Sequence, residues 1–433
     1  MATKLLIPYQ VLAQWLTFLW QAVPIKLRPT LLELLIGNIL SGSGHVTDAI
    51  LNVLAKTTWT NYFKALQSNG FSWLSLCRRW LDLVLHYFPR LTITLVIDDM
   101  LTPRTSKKAP SAAVYHDHAH RPNRPPFILG QLRVALALVL TYGGRTAALP
   151  WLWRLIRSTG NRSKLTAAQV LMAVARHWLP QYIRIRLLID AWFMKKPLVF
   201  PMIQQRITVI GQVRHDSVLY LLPTQPSSPR RGAPRKYGEK LTFAKAQTLL
   251  PLQQASIKAY GKTRCFEFYA AQAKVRFLKG HICRVVWCRF QKDSGKWTKW
   301  ALLLATDPTL PAAHVIKLYS RRWWIEPMFN EIKHSFGLIN AWQQSRQTLA
   351  RWTTLISLSY SLPRLLALWL GDKKGAQLFP IPWRRQRPVT AGWIVKAVQQ
   401  YFRLVNIRAC WDRKSQKFVL PNEEFMATCK KAA

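Results

Sequence analysis

Through residues 1–90 the apolar positions recur at helical spacing, and Pro24, Pro29, the Gly42-Ser43-Gly44 turn and Gly70 cut them into short helices. Trp59, Tyr62 and Phe63 share that spacing, as core residues or as the face of a small DNA-binding module. At Leu91 the pattern changes to L-T-I-T-L-V-I-D-D, a run of β-formers that stops at carboxylates. A polar, proline-rich hairpin follows from Pro103 to Pro126, then an apolar strand from Leu132 to Tyr142, then helical segments through Leu179. The next strand, R-I-R-L-L-I-D, ends at Asp190. Between 206 and 305 the helical period gives way to β-rich segments: Ile207 to Gly211, Val218 to Leu222, Cys265 to Ala271, Ile282 to Phe290 and Trp300 to Ala305. A Pro/Gly loop carrying Arg230, Arg231, Arg235 and Lys236 interrupts them, as a solvated linker or a phosphate contact. From Pro311 the helical period returns and persists to about Leu404, ahead of a polar, basic tail.

Charge narrows what such a chain can do. Lysine and arginine number 63 against 18 acids, a formal +45 spread along 433 residues, and a surface of that kind seeks polyanions. With 50% hydrophobic and 12% aromatic residues the chain buries a core and is not disordered as a whole. The stretch from Leu5 to Pro24 is apolar but carries Pro8, Gln10, Gln14 and Gln21, so it reads as a packed amphipathic helix, not a membrane span. Leu132 to Tyr142 is too short to cross a bilayer. Cys77, Cys265, Cys283, Cys288, Cys410 and Cys429 form no C-x-x-C pair, which argues against a disulfide framework or a structural zinc site and suits a reducing cytoplasm.

Acids are scarce enough to be weighed singly. Asp98 and Asp190 each close an apolar strand, where an unpaired carboxylate is costly and calls for an arginine or a metal. Two of them, followed by a glutamate in a helical stretch, begin to describe a two-metal site. The pleat argues for Asp98 over its neighbour Asp99. Asp190 shares its face with Leu188, Arg186 and Arg184, the less apolar side of its strand, and Asp98 likewise lies with Val96, Thr94 and Thr92. His116, His118 and His120 alternate onto one strand face; without a further constrained ligand they suit a hairpin near DNA better than a zinc site.

The most specific signal runs from Tyr319 to Lys333. At ~100° per residue, Tyr319, Arg322, Glu326 and Lys333 fall within an arc of about 60°, so one helical face offers an aromatic, two cations and a carboxylate. Glu331 falls about 120° away and reads as a solvated charge. Pro327 should kink this helix or start a new one just after Glu326.

The spacing Y-x2-R-x3-E-x6-K, preceded by two strand-end aspartates and a β-rich insertion, resembles that of bacterial insertion-sequence transposases of the DDE type, the cut-and-paste family that works through a DNA hairpin. The likeness extends from about Leu91 to Leu338. It implies an α/β fold, a ribonuclease-H-like catalytic core interrupted by a β-rich insertion, with helical N-terminal and C-terminal regions. It also implies that Asp98, Asp190 and Glu326 are catalytic and bind two Mg²⁺ ions, with Mn²⁺ as an alternative, and that Tyr319, Arg322 and Lys333 contact DNA phosphates. Trp300, with Trp297 as the alternative, corresponds to the tryptophan that stacks on a flipped base, or else it is a core residue. Trp323 is a second stacking candidate. Met100 stands where the family commonly has a hydroxyl residue, which keeps Asp99 open as the first ligand.

On this reading 1–90 is a helical DNA-binding region, 91–205 the first part of the catalytic core, 206–305 the insertion, 306–345 the second part of the core, and 346–433 the helical C-terminal region and tail. Partners are the element's terminal inverted repeats, target DNA and a second copy of the chain, with no membrane. The location is cytoplasmic, at the nucleoid. A ribonuclease-H-like nuclease without strand transfer would share the acids but has no need of the Tyr/Arg/Lys face. A non-catalytic DNA-binding derivative would lack an acid.

Overall fold

A computed structural model describes residues 2–55, 57–117, 125–156, 161–223, 235–378, 388–403 and 405–421. His118, His120, Arg230, Arg231 and Cys429 lie outside the described residues.

The chain opens with helices α1 (Ala2–Trp20), α2 (Arg28–Ser41), α3 (Val46–Leu51), α4 (Trp59–Gln67) and α5 (Trp73–Tyr87). Trp15, Leu16, Leu19 and Trp20 of α1 are fully buried, which is why that apolar stretch is core. Among the described residues no helix is long and apolar enough to cross a membrane. Within α2 every residue from Pro29 to Ile39 is buried, Glu33 included. Its carboxylate is satisfied: Arg408 donates to it at 2.8 Å and the Tyr62 hydroxyl at 2.9 Å. That buried pair ties the end of the chain to its beginning.

The next elements are strands β1 (Thr92–Pro103), β2 (Ala113–His116), β3 (Phe127–Tyr142) and β4 (Arg145–Leu155), helix α6 (Asn161–Trp178), strand β5 (Arg184–Ile189), helix α7 (Lys196–Gln204) and strand β6 (Thr208–Val213). Strands β7 (Leu219–Tyr220) and β8 (Lys240–Leu241), helix α8 (Phe243–Leu249) and strands β9 (Gln253–Ala259), β10 (Lys262–Val275), β11 (His281–Phe290) and β12 (Ala301–Ala305) follow. Helices α9 (Ala312–Ser320), α10 (Ile325–His334), α11 (Arg346–Leu378) and α12 (Ala391–Phe402) complete the main elements, α11 breaking its helical backbone at Gly371. The protein is thus a mixed α/β fold. These twelve strands join one mixed sheet in the order β2-β3-β1-β5-β6-β12-β11-β10-β7-β8, with β4 on β3 and β9 on β10, and Trp411–Asp412 pairs with Lys417–Phe418 in a separate ribbon. β3 is antiparallel to both β1 and β4, whereas β5 and β6 run parallel to β1.

β4 corrects an expectation, since Arg145–Leu155 reads in the sequence as the start of a helical stretch. The Gly143-Gly144 turn folds it straight back on β3, and its Pro150 sits at a register shift, where a strand tolerates the missing N–H. Helix α6 packs on β3 and β4, and α11 covers β4 from among α1, α2, α4 and α5.

Behind α10 two distant loops meet. A Cβ on Gly44 would strike the Gly337 carbonyl, and one on Gly337 would strike the Ser43 carbonyl. Both glycines have positive φ, so neither position suits an L side chain. Asn340 donates to the Ser43 carbonyl at 2.9 Å and the Trp352 indole to the Gly44 carbonyl at 2.8 Å.

Candidate active site

Pairing of β1 with β5 runs from Thr92 beside Arg184 to Val96 beside Leu188 and then stops. β1 itself continues to Pro103 against β3 alone, with Asp98 opposite Ala135. Asp98 therefore lies inside its strand, at the point where the parallel neighbour leaves, and not at a strand end. Asp190 follows the last residue of β5, and its carboxylate accepts the Phe193 N–H at 3.0 Å, which holds it in the turn toward α7. Because the rows Thr94–Val96 and Arg186–Leu188 are in register, the two aspartates one step further project from the same face.

Their proximity is visible in their acidity. Burial, reinforced by the charge of Asp190, pushes the Asp98 carboxyl up to about 7. Burial likewise raises Asp190, against the Phe193 N–H and Arg322, which favour its ionised form. Asp99 has a separate partner: Lys164 of α6 reaches it at 2.9 Å and also lies 3.9 Å over the Trp192 ring.

The third carboxylate arrives through an arginine. Helix α9 ends at Ser320, Arg321–Trp324 form a 3-10 turn, and α10 begins at Ile325. The break thus falls before Glu326 and not after it. Pro327 is in the first turn of α10, where its missing N–H costs no helical bond. The Arg322 guanidinium donates to Asp98 at 3.0 Å and to Glu326 at 2.7 Å. Burial disfavours its charge, yet Tyr319, Asp98 and Glu326 more than offset that and hold it above its ordinary value. Burial pushes the Tyr319 hydroxyl up to about 12, and the hydroxyl donates to Gln212 of β6 at 3.4 Å. The Glu326 side chain is 50% exposed against 19% for Asp98, so it is the more solvent-accessible of the two.

The remaining candidates stand apart. Lys333 is on α10, partly buried. Trp323 is exposed, edge-on to Trp324 at 5.9 Å. Trp300 lies in an aromatic cluster with Phe243 at 5.2 Å and Tyr269 at 5.5 Å. Arg289 sits 4.7 Å from the Trp300 ring and 4.9 Å from that of Trp297. Glu331 is no solvated charge, since it pairs with Arg364 of α11. Among the described residues no group of three His, Cys, Asp or Glu side chains is already gathered as a metal cage.

Lys164, Gln212 and Tyr260, which feels the charges of Arg322 and Glu326, are site neighbours that sequence reasoning missed. The Tyr260-Gly261 dipeptide signals a turn, but nothing local says where its tip lands.

Asp98 and Asp190 thus meet where β5 leaves β1, with Glu326 joined to Asp98 through Arg322, an acidic cluster in a basic protein. Residues 23–269, more than half of the chain, match the profile of the DDE superfamily endonucleases, and the protein belongs to that family. A comparison with individually curated proteins finds no match. DDE endonucleases act on DNA and generally use divalent ions such as Mg²⁺.

Proposed function

We propose that this endonuclease is a DNA transposase that cuts and joins insertion-sequence ends by two-metal phosphoryl transfer through a DNA hairpin. The observation that carries the proposal is Asp98 beside Asp190, linked by Arg322 to Glu326. The order β4-β3-β1-β5-β6, an antiparallel meander followed by two strands parallel to its first, supports a ribonuclease-H-like core built from 91–205 and 306–345 that also takes in β6, Thr208–Val213, from the start of 206–305. The division into helical flanks, 1–90 and 346–433, and an insertion, 206–305, belongs to the same reading, as do pairing of two copies on DNA and work at the bacterial nucleoid.

The donors suit a hard dication. Asp98 and Asp190 are oxygen ligands crowded in a partly buried place that raises both carboxyls, and a dication relieves that crowding. Asp98, Asp190 and Glu326 would hold Mg²⁺ or Mn²⁺, which supplies an activated water or 3′-hydroxyl and neutralises the leaving oxygen. Asp98 is preferred to Asp99 because Asp99 is taken by Lys164. Arg322 exchanges its two carboxylate bonds for a DNA phosphate, and the half-exposed Glu326 then turns toward the aspartates. Tyr319 and Lys333 hold neighbouring phosphates. Trp300 and Trp323 are the stacking candidates for an extruded base.

A nuclease without strand transfer is the second reading, favoured by the aromatic partners that already occupy the Trp300 ring. The test is Asp190→Asn on duplex oligonucleotides taken from the DNA that flanks the gene. Nicking should vanish while binding persists; full nicking would overturn the assignment.

A further inference from the structure

The segment from α9 to α10 has two working faces. Tyr319, Arg322 and Glu326 serve the acidic centre. Lys317, Arg321 and Trp324 instead line a cleft of about 1190 Å³ bounded also by the β3–β4 hairpin, the β9–β10 hairpin, α11 and α12. On a regular helix those two sets point in nearly opposite directions.

The lining of this cleft is unusual in its charge. It carries six lysines and arginines, and its single carboxylate among the described residues, Glu331, is spent on Arg364. Lys258, Lys317 and Lys396 are exposed. Burial, then the charges of Arg186 and Arg90, lower Arg321. Two half-buried aromatics, Tyr260 from the β9–β10 hairpin and Trp324 from the turn before α10, also line it. Tyr260 is also within electrostatic reach of Arg322 and Glu326, so the β9–β10 tip joins the cleft to the acidic centre.

We propose that this cleft binds single-stranded DNA, taking the strand that leaves the carboxylates past Tyr260 and Trp324. A basic groove with interleaved aromatics is the chemistry that binds single strands without regard to sequence. The cleft, at about 1190 Å³, exceeds the ~300–1,000 Å³ of small-molecule pockets. The inference rests on the DNA-cutting reading but can fail separately from it.

The experiment measures fluorescence anisotropy of a labelled oligothymidylate in EDTA, where cutting is off, across a salt series. The triple variant Lys258→Gln, Lys317→Gln, Lys396→Gln should bind at least tenfold more weakly at low salt. Its slope of log K against log salt should shrink by about 0.7 for each phosphate no longer neutralised, about 2 in all. Trp324→Leu should weaken binding roughly tenfold with the slope unchanged. The charge-keeping triple with arginine at the same positions should bind like wild type. Unchanged affinity and slope in the glutamine triple would overturn the proposal. So would equal loss in the arginine triple, which would report damage to the fold, or displacement of the strand by inorganic phosphate at matched ionic strength, which would make the cleft a simple anion pocket. Wild type that binds the strand but never nicks duplex removes the enzyme reading alone. Wild type that nicks while the glutamine triple binds normally removes the cleft alone.

Discussion

Arg322 bridges and neutralises Asp98 and Glu326, which on the proposed reading a dication would hold with Asp190, and Arg322→Gln separates these roles. Its bond to Asp98 is 3.0 Å long with the side chains 17% and 19% exposed. Removing one partner of a fully buried ion pair costs ~3–5 kcal/mol. Partial exposure and the ability of Asp98 to take up a proton reduce this to about 2 kcal/mol. The bond to Glu326, 50% exposed, adds only the ~0.3–0.5 kcal/mol of a surface i,i+4 pair. In EDTA the variant should therefore be less stable by about 2–3 kcal/mol. Freed of the guanidinium, the carboxylates should take a dication more tightly than wild type, and an ion that binds only the folded chain at a hundred times its Kd stabilises it by ~2.7 kcal/mol. Excess Mg²⁺ should thus close at least ~1 kcal/mol of the deficit. Urea unfolding followed by the fluorescence of the 20 tryptophans, in EDTA and in MgCl₂, measures both. An equal deficit in the two buffers would refute the reasoning and make Arg322 a structural cation only.

Three further outcomes are expected. Glu33→Ala strands Arg408 and Tyr62 beside a buried void, so urea unfolding should show a loss of ~3–5 kcal/mol. Gly337→Ala should cost at least the ~1–2 kcal/mol of a left-handed alanine, with the collision against Ser43 added, and a melting temperature equal to wild type would exclude the contact. Trp300→Ala should slow hairpin formation on a denaturing gel by a barrier of ~1–3 kcal/mol while sparing the first nick; equal slowing of every step would mark Trp300 as a support for Phe243 and Tyr269.

What the sequence makes legible is local. Alternation along Thr92–Asp98 and Arg184–Asp190 gives the strands and the shared face of their acids, because side-chain direction in a strand depends only on parity. The Tyr319–Glu326 spacing gives the helical face for the same reason, although the segment is interrupted by a 3-10 turn. Tertiary contacts are hidden. Lys164 meets Asp99, and Glu331 meets Arg364, across folds of the chain that no periodicity encodes. β4 is missed although Gly143-Gly144 announces it, because Pro150 and the helix-forming Ala147, Ala148 and Leu149 disguise a strand that lies buried against helices. Nor does composition reveal that β6 and β12 pair, so that the strands expected in an insertion extend the same sheet as Asp98.

The contact between Gly44 and Gly337 limits how the site can move. Backbone packs on backbone just beyond the end of α10, and Asn340 and Trp352 bond to the opposing loop, so the chain after that helix is tied to the loop after α2. On the proposed reading, Glu326 at the opposite end of the helix can then approach the two aspartates by rotation about its own side-chain bonds, a motion of nanoseconds instead of the slower shift of a whole element. The same contact places Gly44 and Gly337, far apart in the chain, under one evolutionary constraint: neither can change while the other backbone stays where it is.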